Sequence, residues 1–572
     1  MQKTIKHAAL SLVCFAITLF TLSISANAAD SGKNWTLDDN GVLTISGGNN
    51  NNTLDENGAT WLTSHKSDIK EVVIEKVVNF DGELFKDCVN LTKVIFSDKG
   101  FQLTNIDGET FAGCTSLKEI TLPKSLKAGN QKARSTNRIA TGPFASSGLE
   151  KVTFADGTEK VADYILSGCK TLKEVTIPSS VNEIGIFAFA NCEGLTSVTF
   201  PAGLKKIDGD AFYNCLGLTE VTLPKSIETY AGGGDAFNGS KNIKKVVFED
   251  GLTTIPDEIF KGCIGITEIK WPSGLKAIGK EAFYDAYNYT VADIPDTVTA
   301  INSQAFWRCK ITSFTVPKKM TTYKSPFQNI KEITFEDGTA KIPDGACDGA
   351  SFLEKVNFPK GLKEVGDYAF HVVQLKEIIL PDTVTKVGKF GFSTNKVNGC
   401  TIYIPKSLKT YDSFAFDSMA VNPLHYRDVI VKGEKGSKAK EICEKKKYTY
   451  KEIVIPKKGS TYTVGDVKYK VIETGKVNVC GFKSNKLTSV TIPKSVKIGD
   501  LTFTVCGITK NTFKGMSKVK KVTVKSTAIT KVEKKAFAGL NAKASIKVPK
   551  ANKKKYTTLF TKAGLSKKIK IS

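Results

Sequence analysis

The stretch IGIFAFANCEGLTSVTFP (Ile184–Pro201) is followed almost at once by IDGDAFYNCLGLTEVTLP (Ile207–Pro224). Both fit one pattern, I-x-x-x-A-F-x-x-C-x-x-L-x-x-V-x-I-P, with a period of about 23 residues. Aligned on its aromatic anchor, the pattern recurs at Phe85, Phe111, Phe144, Leu166, Phe189, Phe212, Phe237, Phe260, Phe283, Phe306, Phe327, Cys347, Phe370, Phe392 and Phe416, and again at Phe482, Phe513 and Phe537. Most intervals lie between about 20 and 26 residues, with insertions at Lys127 to Thr141 and around Lys497 to Cys506. A period of this length marks a stacked array, in which no unit can bury its own apolar face and neighbouring units supply the continuous core.

One unit explains the pattern. In Leu172-Lys173-Glu174-Val175-Thr176-Ile177-Pro178, residues two apart share a strand face, so Val175 and Ile177 point one way and Glu174 and Thr176 the other. Proline ends the strand because it has no backbone donor to continue a ladder. Asp-Gly pairs such as Asp156-Gly157, Asp250-Gly251 and Asp337-Gly338 end it elsewhere. The chain then returns through the segment that carries the Ala-Phe pair, whose ring fills the space between the sheet and the opposite wall.

The period, the Ala-Phe anchor, the Asn-Cys or Gly-Cys step and the L-x-x-V-x-I-P strand resemble the BspA-type leucine-rich repeat. The resemblance runs from roughly Asp68 to Ile430 and returns near Asn478 to Val548. The expected fold is a repeat solenoid, a leucine-rich repeat array with a short-stranded parallel sheet, in two blocks with strand-helix-strand caps. Cys347 at an anchor position and Tyr287-Asn288-Tyr289 in the Phe283 unit depart from the pattern, and local irregularity is expected there.

An array exposes unpaired backbone at each end, so its terminal units should be atypical. Asn34 to Ile45 reads as two strands around the Asn40-Gly41 turn and gives an N-terminal cap over 29–67, with a polar loop at Gly47 to Asn52. The main array spans 68–430. A helical cap and joint covers 431–459: a strand at Val429-Ile430-Val431, a helix from Gly436 to about Lys446 with Ala439, Ile442 and Cys443 on one face, and a strand at Tyr448-Thr449-Tyr450. A second, lysine-rich block fills 460–572. It opens with a hairpin, Tyr462-Thr463-Val464 and Tyr469-Lys470-Val471 around Gly465-Asp466, and ends with a strand at Ile546-Lys547-Val548, a helix over Asn552 to Lys562 and a closing strand at Lys568 to Ile571.

Residues 1–28 read as a secretory signal: Lys3, Lys6 and His7, an apolar run from Ala8 to about Ile24, then Ser25-Ala26-Asn27-Ala28 with small residues where a signal peptidase cuts. A secreted or cell-surface protein is expected. No L-P-x-T-G motif is found, and Ala29 rather than cysteine follows the cleavage site. Charge is uneven. Val431 to Ser572 carries about 36 lysines against about 8 acids, a net near +28, while Ala29 to Ile430 is near −5. A basic segment outside the cell suits anionic cell-wall polymer, lipid headgroups, acidic glycans or extracellular nucleic acid, and equally serves as a solubilising surface. No nucleic-acid motif accompanies it, so no specific nucleic-acid partner is expected.

Seven cysteines, Cys88, Cys114, Cys169, Cys192, Cys215, Cys263 and Cys309, sit three residues after an anchor. A residue recurring at one repeat position is selected by the stack, and a thiol is small, apolar and readily buried. Ser240, Ala286 and Ala350 stand at the same position in other units, which a required bridge would forbid. Buried free thiols are expected; Cys480 and Cys506, outside this series, are candidates to pair. No two cysteines show C-x-x-C spacing, and the histidines left after signal removal, His65, His371 and His425, are far apart. There is no G-x-S-x-G, no H-E-x-x-H and no phosphate-cradling loop, the Gly232-Gly233-Gly234 run reading as a turn. No cofactor, metal or catalytic residue is predicted and the chain is not expected to be an enzyme. Carboxylate pairs capable of glycan hydrolysis are the reading kept in reserve.

The outer face of the sheet is the candidate binding face. Its outward residues include Glu119, Thr121, Glu174, Thr176, Thr199, Glu220, Thr222, Glu268, Lys270, Thr315 and Glu332, with Lys93, Thr153, Ser197 and Thr334 in the same phase. At ~4.8 Å per strand, fifteen units make a ribbon on the order of 70 Å long. Threonine also favours exposed strands by itself. Ile95, Ile379 and Tyr403 are the larger outward groups that could anchor a ligand. The resemblance implies partners of the kind such proteins engage, host matrix glycoproteins and cell surfaces, so an adhesin-like binding protein taking an extracellular protein or glycoprotein ligand is expected. A wall-associated scaffold held noncovalently by the lysine-rich end is the alternative.

Overall fold

The computed structural model describes residues 28–48, 53–55, 59–97, 103–127, 129, 141–228, 235–394, 400–417 and 429–572. The signal segment, the Gly232–Gly234 turn, His425, most of the first insertion and the tip of the polar loop before Thr53 lie outside the described residues.

Each repeat contributes three sides. The first is a strand of three or four residues in the L-x-x-V-x-I-P segment, and these pair in parallel from unit to unit, as in Glu220–Leu223, Lys245–Phe248 and Glu268–Lys270. Their side chains alternate as the period-two reading requires: Val221 and Leu223 are buried, Glu220 and Thr222 exposed. The second side is a line of two-residue strands, also parallel, exemplified by Thr254–Ile255, Ala277–Ile278, Ala300–Ile301 and Thr322–Tyr323. Sequence reading had no account of this second line. The third side is a turn segment around the anchor.

The anchors stack as expected. Phe189, Phe212, Phe237 and Phe260 lie face to face with centroids 5.0 to 5.1 Å apart. Phe370, Phe392 and Phe416 continue the column beyond Cys347, which is itself buried. Two residues per turn segment adopt left-handed backbone, two before and two after the anchor, for example Phe187 and Asn191 around Phe189, and Asp210 and Asn214 around Phe212. That explains the Asn-Cys and Gly-Cys steps: asparagine and glycine are the residues that tolerate positive φ. Gly168, Gly262 and Gly349 take this place in other units.

The parallel sheet is not one continuous ladder, and one of its interruptions falls where the sequence departs from the pattern. Pairing stops between Lys93–Phe96 and Glu119–Leu122 and between Lys355–Asn357 and Glu377–Ile379. The strand itself is lost at Ser197–Phe200 and again at Val291–Ile294. The loss at Val291–Ile294 falls on the irregular Phe283 unit. There Tyr289 turns inward, buried, and its hydroxyl donates to Asp293 at 2.6 Å, pulling the segment out of strand geometry.

At the N-terminal end Trp35–Asp38 and Val42–Ile45 form the antiparallel pair around Asn40-Gly41, and Val42–Ile45 then pairs in parallel with Glu71–Ile74, handing over to the array. A further strand, Ala28–Gly32, edges this cap, and Trp35 stacks on Trp61 at 3.9 Å. The strand-helix-strand elements are Ile430–Gly433, Ala439–Lys446 and Thr449–Glu452, and then Ser545–Lys547, Lys553–Lys562 and Lys570–Ile571. Ala439, Ile442 and Cys443 are the buried face of the first helix.

The apolar interior falls into two clusters, one running from Leu37 to Tyr448 and one from Ile453 to Ile569. The second is built on the hairpin Thr461–Val464/Val467–Glu473, whose strand continues into a mixed sheet with Lys476–Phe482 and Leu501–Ile508. It does not extend the first as a bead on a string. Tyr403, an outward residue of the array, is fully buried in the second cluster, and Ile379 packs against it. Lys432 donates to the Asp500 carbonyl at 2.6 Å, Lys451 pairs with the Asp500 carboxylate at 2.6 Å, and Thr474 donates to Asp382 at 2.5 Å. The lysine-rich block therefore folds back over the last third of the array's outer face.

Candidate binding face

The outer face is built from the first and third residues of each strand, held outward because the second and fourth are buried. Glu119, Thr121, Glu174, Thr176, Thr199, Glu220, Thr222, Glu268, Lys270 and Thr315 are all exposed. Glu332 is the correction. Its position is outward in phase, yet the residue is buried beneath the second block. Lys355 pairs with it at 3.0 Å and the Asn357 amide donates to it at 2.9 Å. Burial works to raise the Glu332 pKa, but the Lys355 charge and the hydrogen bonds from Thr527 and Asn357 hold it below the ordinary carboxylate value. Ile379 and Tyr403 are likewise not free anchors, because the second block covers them.

The charges on the face follow a rule that single units do not reveal. Register places Glu119 opposite Lys151 opposite Glu174, and Glu220 opposite Lys245 opposite Glu268. Ion pairs form across these rungs: Lys93 to Glu71 at 3.1 Å, Lys151 to Glu174 at 3.0 Å and Lys245 to Glu220 at 2.8 Å. The two-residue strands repeat the device, with Lys160 to Glu183 at 2.7 Å and Lys386 to Glu364 at 3.1 Å. Opposite charges directly across a strand pair favour one register, each exposed pair contributing at most about 1 kcal/mol. Much of the face's charge is thus matched within the protein.

The seven thiols of the repeat series are buried and free, and six of them have a role beyond filling space. Each donates to the carbonyl of the anchor one unit earlier: Cys114 to Phe85, Cys169 to Phe144, Cys192 to Leu166, Cys215 to Phe189, Cys263 to Phe237 and Cys309 to Phe283, at 3.0 to 3.3 Å. Ser240 does the same for Phe212 at 2.8 Å, which is why serine interchanges with cysteine here. Cys480 and Cys506 do not pair. The pairing of their strands is interrupted by a register shift that leaves Cys506 as the extra residue, facing Lys476, Lys355 and Glu473, while Cys480 lies beside Thr461, Lys468 and Lys470.

Among the described residues no group of three or more His, Cys, Asp or Glu side chains could hold a metal ion. Two histidines meet carboxylates, His371 with Asp348 at 2.8 Å and His65 with Asp30 at 3.0 Å. The neighbouring Ser64 hydroxyl donates to the Trp61 carbonyl at 2.9 Å, so it is tied into the cap's turn. A feature that sequence reading missed is an aromatic strip at the position two residues before the anchor. Tyr368, Phe390 and Phe414 contact in sequence with centroids 5.3 and 5.5 Å apart, and Lys389 sits over the last two rings. Its signal in the sequence was the Tyr or Phe two residues before the last three anchors of the array, Phe370, Phe392 and Phe416.

No described helix is long and apolar enough to cross a membrane. No curated protein matches the chain in sequence. Among solved structures, it is similar to a leucine-rich repeat protein from Bacteroides ovatus, at 21% identity over 74% of this chain and 100% of that one with a TM-score of 0.46. It is also similar to a leucine-rich cell surface protein from Faecalibacterium prausnitzii, at 17% identity over 57% of this chain and 94% of that one with a TM-score of 0.27. The pneumococcal vaccine antigen PcpA is similar at 19% identity over 48% of this chain and 64% of that one, with a TM-score of 0.23. The profile of the BspA type leucine rich repeat region matches residues 78–138, 137–233, 233–329, 322–432 and 475–572, in six copies. With the stacked anchors, the parallel strands and this match over most of its length, the chain belongs to the BspA-type leucine-rich repeat family.

Proposed function

We propose that this is an exported, adhesin-like binding protein, secreted or held at the cell surface, that engages an extracellular protein or glycoprotein through the uncovered part of its outer face. The observation that carries this reading is the run of exposed outward residues from Lys93 to Thr315. At ~4.8 Å per strand its ten units span roughly 45 Å, a long shallow surface of the kind repeat arrays offer to extended partners. Because much of its charge is internally paired, the ribbon recognises by shape and by hydroxyl and backbone contacts more than by net charge.

The test uses the whole mature chain and a triple variant, Glu174→Lys, Glu220→Lys and Glu268→Lys, against a panel of matrix glycoproteins at low and high salt. Saturable, salt-resistant binding by the parent and at least a tenfold loss in the variant is the expected result. Binding that the variant retains in full places the ligand elsewhere and removes the reading.

A second reading is favoured by the lysine content of the C-terminal quarter: the chain is a wall-associated scaffold held noncovalently to anionic cell-wall polymer. Its contacts are exposed charges, which salt screens. Release from isolated walls at raised salt, without any glycoprotein binding, is what this alternative requires.

A further inference from the structure

Where the second block folds over the array it does not seal against it. A cleft of about 740 Å³ remains between the outer face at Ser313, Lys355, Asn357 and Glu377 and the second block at Lys476 and Thr504. That volume falls within the ~300–1,000 Å³ of small-ligand sites, and meetings of two structural units are where such sites concentrate. We propose that this cleft binds a short acidic saccharide, gripped by lysines from both blocks and by a buried asparagine that accepts from a sugar hydroxyl.

Charge is the first argument. Six lysines line the cleft against three glutamates, an excess that neither the slightly acidic array nor the matched ladder on its face would produce. Glu332 is spent on Lys355 and Asn357, and Lys476 on Glu473 at 2.8 Å, which leaves Lys331, Lys376, Lys494 and Lys550 against Glu354 and Glu377. Lys494 and Lys550 are exposed at the second block's edge and reach the cleft from one side, while Lys331 and Lys376 line it from the other. An anion between them is attracted by both blocks.

Hydrogen bonding supplies the second argument and points beyond a bare anion. Asn357 is 5% exposed and lines the cleft. Its amide nitrogen is committed to Glu332 and Thr334, each at 2.9 Å, which fixes its carbonyl oxygen as the remaining group. That oxygen is buried and has no partner in the protein. A buried acceptor left unmade costs on the order of 1–3 kcal/mol, so a donor arriving in the cleft is stabilised there. A carboxylate cannot donate and a fully ionised phosphate ester cannot either; a sugar hydroxyl can.

The helix Lys553–Lys562 adds a third. Lys550, Ala551 and Asn552, immediately before it, line the cleft, and no side chain caps its first turn. Its first turn holds Lys553, Lys554 and Lys555 and no acid, the reverse of the arrangement that stabilises a helix start. The turn Lys550–Asn552 leads straight into the helix, and its carbonyl at Lys550 already accepts from the Lys553 N–H. An anion here therefore offsets the lysine charges and the positive end of the helix dipole. Hydroxyl donor and anion on one small molecule describe an acidic sugar, whether a uronic acid oligomer or a sugar phosphate.

The experiment is calorimetric titration of the mature chain with trigalacturonate, with glucose 1-phosphate and with neutral maltotriose, at fixed ionic strength. Saturable binding of one or both acidic ligands, with maltotriose at least tenfold weaker, is expected, and which of the two binds identifies the anion. The double variant Lys494→Glu and Lys550→Glu should weaken that binding at least tenfold. The control Lys483→Glu and Lys486→Glu, which makes the same change in net charge on lysines that do not line the cleft, should leave it within twofold. Asn357→Leu should weaken it severalfold where the melting temperature shows an intact fold; where it does not fold, the lysine variants decide alone. Equal losses in the two lysine variants reduce the effect to diffuse attraction and overturn the proposal. So does the absence of any saturable acidic-sugar binding, whatever the array's outer face does with glycoproteins.

Discussion

Tyr403 holds the two blocks together, and replacing it by alanine should part them without unfolding either. The residue stands on the array strand Thr401–Ile404, fully buried, with its side chain in the apolar cluster of the second block. A tyrosine buries about 150–250 Å². At ~25 cal/mol per Å² this is about 4–6 kcal/mol as an upper bound, and truncating a large buried aromatic costs roughly 3–5 kcal/mol. The other ties are smaller. Lys451 and Asp500 are about half exposed, at 50% and 44%, and such a pair contributes about 0.2–1 kcal/mol. The charge-assisted bond from Thr474 to Asp382 adds about 1.5–3 kcal/mol. Loss of ~3 kcal/mol raises the ratio of parted to docked molecules by more than a hundredfold, at ~1.4 kcal/mol per factor of ten. Solution scattering should show a larger radius of gyration for Tyr403→Ala than for the parent, and calorimetry should resolve separate melting of the two blocks. A variant that melts earlier in one transition, with unchanged scattering, would refute the reasoning and make Tyr403 part of the array's own core.

Two further outcomes follow from the repeat's interior. Burial pushes the Cys88 thiol up to about 11 and the Cys215 thiol up to about 12, while unfolded cysteines release protons from about pH 8.5. The folded pKa is the higher one, so this contribution is complete below pH ~8.5 and is lost as pH rises towards 11–12, by up to ~1.4 kcal/mol per thiol per pH unit. Guanidinium midpoints measured from pH 8 to 11 should fall less steeply in Cys169→Ser with Cys215→Ser than in the parent, since serine keeps the donor that Ser240 already provides; identical slopes would exclude the thiols as the cause. Val372 adopts left-handed backbone at φ 58, where other units place Asn191, Asn214 or glycine. Left-handed backbone costs a residue with a side chain about 1–2 kcal/mol, so Val372→Asn should raise the denaturation midpoint by the equivalent of about 1 kcal/mol, and a lowered midpoint would mean that the valine side chain contributes more in packing than its backbone loses.

What could be read from the sequence was what repeats. The anchor at Phe189, the thiol at Cys192 and the strand ending at Pro201 recur often enough that each copy corroborates the others, and the inward or outward phase of a strand residue follows from its neighbours alone. Both helical caps were legible for the same local reason, Ala439, Ile442 and Cys443 giving a single apolar face. Conformation at Asn191 and the hydrogen bond from Cys192 to Leu166 were not, because a residue type shows a preference without showing which physical cause selects it. Docking of the second block was hidden more deeply. Glu332, Ile379 and Tyr403 are outward by phase, and only the second block, which meets Ile379 at Gly475 and Glu332 at Thr527, covers them. The signal was nonetheless present: an isoleucine and a tyrosine at positions where most units carry threonine or a charge.

That fold-back divides one face into two surfaces with opposite responses to salt. On the uncovered ribbon the rungs Lys151 to Glu174 and Lys245 to Glu220 satisfy each other, so raising the ionic strength takes little from a ligand bound there by shape. In the cleft Lys355 is paired with Glu332 and Lys476 with Glu473, and Lys331, Lys376, Lys494 and Lys550 supply an excess of positive charge from both blocks. A ligand there draws on net positive charge and must weaken as salt rises, though less than on an open surface because the walls exclude part of the screening ions. Salt titration of the two binding events in the same protein therefore separates them without any mutation. A glycoprotein contact that collapses at high salt belongs to exposed lysines, and an acidic sugar whose binding ignores salt is not held by the cleft.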